Sequence, residues 1–158
     1  MPPPVLDAHA LMVYLEREAG FAAVRDLFAQ ALANHTLLPM TTVNIGEVLY
    51  IVRREYGGEK VTEIERTIHT LPIEIVDVDL ELAREAARFK AVKKMSYADC
   101  FAAALARKRQ AELVTGDPES LRAFVAYAEG PVGSAVGSKE TALLSAHRFI
   151  PYPEEYQR

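Results

Sequence analysis

The feature that most constrains this chain of 158 residues is a regular alternation of strand-like and helix-like segments. Short apolar strands are predicted at 5–8, 36–41, 73–78 and 112–115, because each is brief, apolar and bounded by turn residues. The intervening segments have helical periodicity and predict helices at 10–19, 21–33, 42–57, 59–71, 80–92, 96–110 and from Pro118 to about residue 127. Strands separated by helices predict an α/β fold with a mostly parallel central sheet.

Length and composition predict one globular domain over residues 1–158. Half of the residues are hydrophobic and a quarter are charged, which is typical of a folded domain and not of a disordered chain. The Gly- and Ser-rich stretch 129–141 predicts a flexible loop. Residues 142–158 are interpreted as a C-terminal extension in which HRFIPY, at 147–152, is compatible with an edge strand.

Composition also excludes several classes of protein. No apolar run approaches the roughly 20 residues that span a bilayer, and the N-terminus lacks the pattern of a signal peptide, so we expect a cytoplasmic protein. The single cysteine, Cys100, cannot form an internal disulfide or a cysteine-rich zinc site. The net charge of −4 means that any binding of nucleic acid must use a local basic patch.

Acidic residues stand where a parallel α/β sheet would place a ligand. Asp7 follows the first predicted strand and Asp117 follows the strand ending at 115. Ligands of open parallel sheets bind at the carboxyl ends of the strands. Asp99, in the first turn of a helix, and Glu47, near the start of another, could reach the same edge. The hypothesis is one acidic site built from four distant parts of the chain.

Helix capping is the alternative interpretation for three of these acids. Asp117 directly precedes Pro118, which is a common way for a helix to begin. Asp99 stands three residues after Ser96, close to the pattern of a capping box. Asp7 could cap the helix that follows it. Both roles stay open for each acid at this point.

Glu47 is harder to explain as a surface residue. Val43 and Ile51 lie one helical turn away on either side, and no Lys or Arg stands three or four residues along to pair with it. A carboxylate in an apolar row predicts a partly buried acid, which needs a partner to offset its desolvation. A metal ion would be such a partner.

Four stretches together resemble the PIN domain, and in particular the VapC-type ribonuclease toxins of prokaryotic toxin–antitoxin pairs. They are VLDAHAL from residue 5, VNIGEVLYIVRREYG from 43, SYADCFAAALA from 96 and LVTGDPES from 113. The resemblance implies a three-layer α/β/α sandwich and a Mg²⁺- or Mn²⁺-dependent endoribonuclease. Residue by residue, it implies that the metal-binding acids are Asp7, Glu47, Asp99 and Asp117.

The resemblance also implies supporting residues and partners. Thr115 matches a polar position beside the last acid, and Ser96, His9 and Asn44 are expected to support the site. His9 departs from the family, which usually has Ser, Thr or Asn there. The expected partners are an RNA substrate, a second copy of the chain and an antitoxin protein.

An RNA substrate needs basic residues around an acidic site. The candidates are Arg53, Arg54, Lys90, Lys93, Lys94 and the run 107–109, although each cluster taken separately is better explained as a solvated helix end. Two other functions stay open: a noncatalytic RNA- or protein-binding domain of the same fold, and a nuclease that acts on DNA. A phospho-signalling receiver domain is disfavoured, because the first strand is followed by one acid and no strand ends at a suitable lysine.

Overall fold

The computed structural model describes residues 2–92 and 94–116, and the backbone of residues 148–149. Within these ranges lie five strands: β1 (Val5–Leu6), β2 (Leu38–Thr41), β3 (Ile73–Val76), β4 (Leu113–Thr115) and β5 (Arg148–Phe149). The helices are α1 (Ala8–Glu16), α2 (Phe21–Ala33), α3 (Thr42–Tyr56), α4 (Gly58–Thr70), α5 (Leu80–Val92) and α6 (Tyr97–Arg109). The predicted helix after Pro118, the predicted loop 129–141 and Asp117 lie outside the described residues.

The described strands pair in parallel. Strand β1 pairs with β4, with Val5 opposite Leu113, and β4 pairs with β5. Strand β2 pairs with β3, with Leu38 opposite Ile73. No hydrogen-bonded ladder joins β1 to β2 in the described residues, but the two strands lie side by side, which gives the order β3-β2-β1-β4-β5. The predicted parallel sheet is confirmed.

Side chains of the central strands point alternately into two separate apolar cores. Leu6 and Val114 belong to a core shared with α1, α2, α3 and α4. Val5 and Leu113 belong to a second core, shared with α5 and α6. Because successive residues of a strand face opposite sides of a sheet, helices cover both faces. The predicted three-layer α/β/α arrangement is confirmed.

Local capping explains where the observed elements differ from the predicted ones. Helix α1 begins at Ala8, not at residue 10, because Asp7 caps it, and the first strand is correspondingly short. The same helix ends at Glu16, since Arg17 has a left-handed backbone with φ of 52°. Strands β2 and β3 are shorter than predicted at one end, whereas α2 and α5 have the predicted limits. None of the helices in the described part of the chain combines the length and apolar character needed to span a bilayer.

Candidate active site

Asp7 is held at the carboxyl end of β1 by two hydrogen bonds. Its side chain is buried, with 2% of the residue exposed. Its Oδ1 accepts the backbone N–H of Ala10 at 2.8 Å, so Asp7 is the N-cap of α1, as the alternative interpretation proposed. The hydroxyl of Thr115, on the neighbouring strand β4, donates a second hydrogen bond to the carboxylate. Thr115 therefore supports the first acid directly.

The environment of Asp7 shows that it lies in a cluster of like charges. The pKa of its carboxyl is raised from 3.8 to about 7, mainly by burial and in smaller part by the negative charges of Asp99 and Glu47. The hydrogen bonds from Thr115 and from the backbone of Ala10 oppose the rise in pKa. Three acids from distant parts of the sequence therefore lie within electrostatic reach of one another.

Glu47 projects from the second turn of α3 and is half-buried. The helix is fixed at its start by Thr41, whose Oγ accepts the backbone N–H of Asn44 at 3.1 Å. Burial raises the pKa of Glu47, and the charge of Asp99 adds to the rise. The partly buried acid expected from its apolar neighbours is the one observed.

Asp99 lies in the first turn of α6, beside the helix cap. Ser96 is the N-cap, and its Oγ accepts the backbone N–H of Asp99 at 3.1 Å. The Ser96 hydroxyl also bonds to Oδ2 of Asp99 at 2.6 Å. This is half of a capping box. In a full box the Asp99 carboxylate would accept the backbone N–H of Ser96, whereas here it accepts the hydroxyl of Ser96. Ser96 therefore orients the carboxylate as well as starting the helix.

Asn44 joins the two helices that carry Glu47 and Asp99. It is fully buried, and its Nδ2 donates to the carbonyl oxygen of Ala98 at 3.1 Å. Its Oδ1 accepts the hydroxyl of Thr41 at 2.5 Å. Since Ala98 immediately precedes Asp99, this amide fixes the start of α6 against the start of α3. Asn44 thus acts on the relative position of the two helices, and no local pattern in the sequence indicates that Ala98 is its partner.

The acids open onto a cleft of about 350 Å³ between α1, α3 and the start of α6. His9, Glu47, Ser96 and Asp99 are among its lining residues, and Asp7 lies buried behind them. Three further acids line the cleft, and we did not assign them from the sequence: Glu16, Glu18 and Glu55. Glu55 follows Glu47 by eight residues and so shares its helical face, a signal that periodicity could have provided. The left-handed turn at Arg17, by contrast, has no clear sequence signal.

The donor set of the cleft suits a hard divalent ion in its chemistry. Carboxylate oxygens favour Mg²⁺ or Mn²⁺ over softer metals, and a cation would offset the burial and the like charges that together raise the pKa of Asp7. Within residues 2–92 and 94–116, no three acid, histidine or cysteine side chains converge closely enough to hold an ion by themselves. Asp117, the fourth predicted acid, lies outside the described residues, and carboxylates that repel one another stand apart without a cation.

The basic run 107–109 does not surround this cleft, and the alternative interpretation as a helix end is the correct one. Arg107 donates to Glu85 at 2.8 Å, Lys108 to Glu81 at 2.9 Å, and Arg109 makes two bonds to Glu74. The run begins eight residues after Asp99, about 12 Å further along α6. Lys90 is likewise engaged in structure, because its Nζ donates to the carbonyl oxygen of Met95 at 2.6 Å. Of the described residues that line the cleft, Arg54 is the single one with a Lys or Arg side chain.

Comparison with known families and structures agrees with this geometry. The PIN domain model matches residues 5–126, which include all four motifs singled out in the sequence. The match confirms the resemblance inferred from those motifs. A comparison with curated protein sequences gives no significant match.

Solved structures with the same fold are distant in sequence. VapBC from Salmonella typhimurium bound to DNA has 16% identity and a TM-score of 0.60, with 77% of this chain and 92% of that chain aligned. VapC20 of Mycobacterium tuberculosis, a toxin that cleaves the sarcin–ricin loop, has 14% identity, a TM-score of 0.62, and 75% and 93% coverage. VapBC2 from Rickettsia felis, bound to a promoter DNA fragment, has 15% identity, a TM-score of 0.57, and 75% and 90% coverage. At these identities the similarity establishes the fold.

Proposed function

This chain belongs to the PIN domain family, and from that premise we propose that it is a divalent-metal-dependent endoribonuclease of the VapC toxin type. The observation that carries the proposal is that Asp7, Glu47 and Asp99 lie within electrostatic reach of one another: after burial, the charges of Asp99 and Glu47 raise the pKa of Asp7, and the charge of Asp99 raises that of Glu47. Such crowding of carboxylates is unfavourable in itself. It is useful where a bound cation gathers the acids.

Each acid has a proposed role. Asp7 and Asp99 are the principal ligands of Mg²⁺ or Mn²⁺, and Glu47 and Asp117 bind the ion directly or through water. When bound, the ion activates water for attack on a phosphodiester and stabilises the charge that develops on oxygen. Thr115 and Ser96 orient Asp7 and Asp99 by hydrogen bonds, Asn44 fixes the distance between the two helices, and His9 lines the wall beside them.

The substrate and partners follow from the family and the neighbouring structures. RNA is proposed as the substrate, because the fold is shared with a toxin that cleaves the sarcin–ricin loop. An antitoxin is proposed as a partner, because two of the similar structures are VapBC complexes. We further propose that residues 1–158 form a single domain that acts in the cytoplasm as a homodimer.

Cleavage of labelled RNA tests the function directly. Purified protein is incubated with RNA and DNA pools in Mn²⁺ or in EDTA, and wild type is compared with Asp99→Asn and with Glu81→Gln. Glu81 is the matched control, because it is an exposed acid that pairs with Lys108 away from the cleft. We expect RNA cleavage that requires Mn²⁺, is lost in Asp99→Asn and is kept in Glu81→Gln. Cleavage that survives both EDTA and Asp99→Asn would contradict the proposal, and cleavage of DNA alone would support the alternative nuclease.

A further inference from the structure

Arg54 lines the acidic cleft and lies on the same helix as Glu47. It follows Glu47 by seven residues, which is two helical turns or about 10 Å along the axis of α3. Both residues line the cleft, together with Ile51 between them. A single face of α3 therefore presents an acid to the cleft and, about two helical turns further along, a cation.

The guanidinium of Arg54 is held by an aromatic ring. Its Cζ lies 5.7 Å from the centroid of the Tyr50 ring, a cation–π distance, and Tyr50 is one turn earlier on the same helix. Tyr50 has 54% of its surface exposed, although it is a large residue with an apolar ring. Stacking restricts the long side chain of Arg54 and so reduces the entropy lost when the guanidinium binds a ligand.

The carboxylate beside Arg54 does not neutralise it strongly. Arg54 and Glu55 are 3.7 Å apart, and 67% of the Arg54 side chain is exposed. Exposed pairs of this length are screened by water and contribute little. The cations at the far end of α6 differ, because Arg107, Lys108 and Arg109 bond to acids at 2.8 to 2.9 Å. Among the described residues that line the cleft, Arg54 is thus the cation with donors to offer a ligand.

We propose that Arg54, positioned by the ring of Tyr50, binds a backbone phosphate of the RNA other than the phosphate that is cleaved. The proposal rests on the proposed function and adds a residue that sets the register of the strand. A planar guanidinium suits the two oxygens of a phosphate. A strand fixed at Arg54 would place a neighbouring phosphate against the acids, in spite of the negative charge of the cleft. Arg54 is the binding residue and Tyr50 is a positioning residue.

Binding of RNA can be measured separately from cleavage. Fluorescence anisotropy with a labelled single-stranded RNA, in an Asp99→Asn background with Mn²⁺, keeps the RNA intact. Arg54→Gln is compared with Arg53→Gln, which removes the same charge from the same helix end but from a residue that does not line the cleft. We expect Arg54→Gln to raise Kd about tenfold and to lower the slope of log K against log salt by about one. Arg53→Gln should change Kd less than about twofold. Equal effects of the two variants would overturn the proposal.

The role of Tyr50 has its own signature. Tyr50→Phe keeps the ring and should bind RNA like wild type, whereas Tyr50→Ala should weaken binding. Combining Tyr50→Ala with Arg54→Gln should add little to Arg54→Gln alone, because the ring acts through the guanidinium. Additive losses would show that Tyr50 does not act through Arg54. Melting curves of each variant check that the loss is not one of folding.

Neutral phosphates identify the contact and separate the two proposals. Methylphosphonate groups are placed one at a time along the RNA, and we expect one position at which wild type loses affinity and Arg54→Gln does not. No such position would overturn the Arg54 proposal even if RNA is cleaved in a metal-dependent way. If that position exists but wild-type protein with Mn²⁺ cleaves no RNA, the Arg54 contact stands and the nuclease function fails.

Discussion

The two ends of helix α6 have opposite electrostatic character. At its start, Asp99 lies close enough to Asp7 and Glu47 to raise the pKa of both. At its end, Arg107 and Arg109 bond at 2.8 Å to Glu85 and Glu74, and between them Lys108 bonds to Glu81. One helix of 13 residues therefore joins a region of crowded acids to a region of paired charges.

The charges at the two ends have different effects on the stability of the fold. Two like charges at about 5 Å repel by about 3 kcal/mol at an effective dielectric of 20, whereas an exposed ion pair contributes roughly 0–1 kcal/mol. The charges at the paired end therefore do not oppose folding. The crowded end opposes folding, and a bound cation would offset its repulsion.

The largest expected effect is on activity at the crowded end. Asp99→Asn should lower metal-dependent RNA cleavage by at least about 100-fold, because it removes a proposed metal ligand. The metal-free variant should be as stable as wild type or more so, since an amide oxygen can still accept the hydroxyl of Ser96 and one repulsive charge is gone. Cleavage rates and thermal melts in EDTA measure the two quantities.

A matched change at the paired end should keep the activity and slightly lower the stability. Glu81→Gln should leave cleavage within about twofold and lower stability by less than about 1 kcal/mol, because its pair with Lys108 is exposed. If Asp99→Asn destabilises the metal-free protein more than Glu81→Gln does, the crowding at the cleft is not unfavourable, and the contrast between the two ends is wrong.

The next effect is on the pH dependence of stability. The carboxyl of Asp7 has its ordinary pKa of 3.8 when unfolded and a pKa of about 7 when folded. Between these pH values Asp7 is ionised in the unfolded chain but still protonated in the folded protein. Its contribution to the free energy of unfolding is therefore fully present below about pH 4 and is lost as the pH rises to about 7. In EDTA the loss should be on the order of 2–4 kcal/mol.

Asp7→Asn should flatten that pH dependence. Asparagine caps a helix about as well as aspartate but does not ionise, so the free energy of unfolding of the variant should fall less between pH 4 and pH 7. Denaturant unfolding at several pH values compares the two proteins. If the free energy of unfolding varies with pH in the same way in wild type and variant, Asp7 ionises normally in the folded protein.

A smaller effect should follow from removing the tie between α3 and α6. Asn44→Ala leaves the partly buried carbonyl of Ala98 and the buried hydroxyl of Thr41 without this partner, which should cost about 1–3 kcal/mol in stability. Cleavage should fall as well, because the start of α6 is no longer fixed against α3. Asn34→Ala, at an exposed position, is the control and should change stability by less than about 0.5 kcal/mol. A loss of activity with no loss of stability would indicate that Asn44 acts on the substrate and not on the helices.

The smallest effect is expected at the far end of α6. The pKa of Glu74 is lowered by its hydrogen bonds to Arg109, but both side chains are more than a third exposed, so solvent screens much of the interaction. Glu74→Gln should cost less than about 1 kcal/mol in low salt and almost nothing in 1 M salt. A larger cost that salt does not reduce would show that this pair contributes substantially to stability. The charges at the paired end would then do more than the contrast between the two ends of α6 assumes.

Local patterns in the sequence were sufficient for most of the fold. The apolar periodicity of 21–33 and 80–92 predicts α2 and α5 to the residue, because each helix has one buried face and clear ends. The resemblance of four short motifs predicts which acids share a site, and the described structure places Asp7, Glu47 and Asp99 within electrostatic reach of one another. Asp117 stays a prediction.

What the sequence could not predict depends on contacts between distant elements. Nothing near Arg109 in the chain indicates that its partner is Glu74, 35 residues away, so the run 107–109 was a candidate for binding RNA. The bond from Asn44 to Ala98 spans 54 residues and has no local pattern. The burial of Asp7 and its hydrogen bond from Thr115, 108 residues away on the neighbouring strand β4, likewise have no local pattern in the sequence.

The effect of Mn²⁺ on the melting temperature tests the central claim most directly, because it needs no substrate. A ligand that binds only the folded state stabilises it by about 2.7 kcal/mol at 100 times its Kd. We predict that Mn²⁺ raises the melting temperature of wild type and of Glu74→Gln equally, and raises that of Asp99→Asn much less. An equal rise in all three proteins would contradict a metal site at the start of α6.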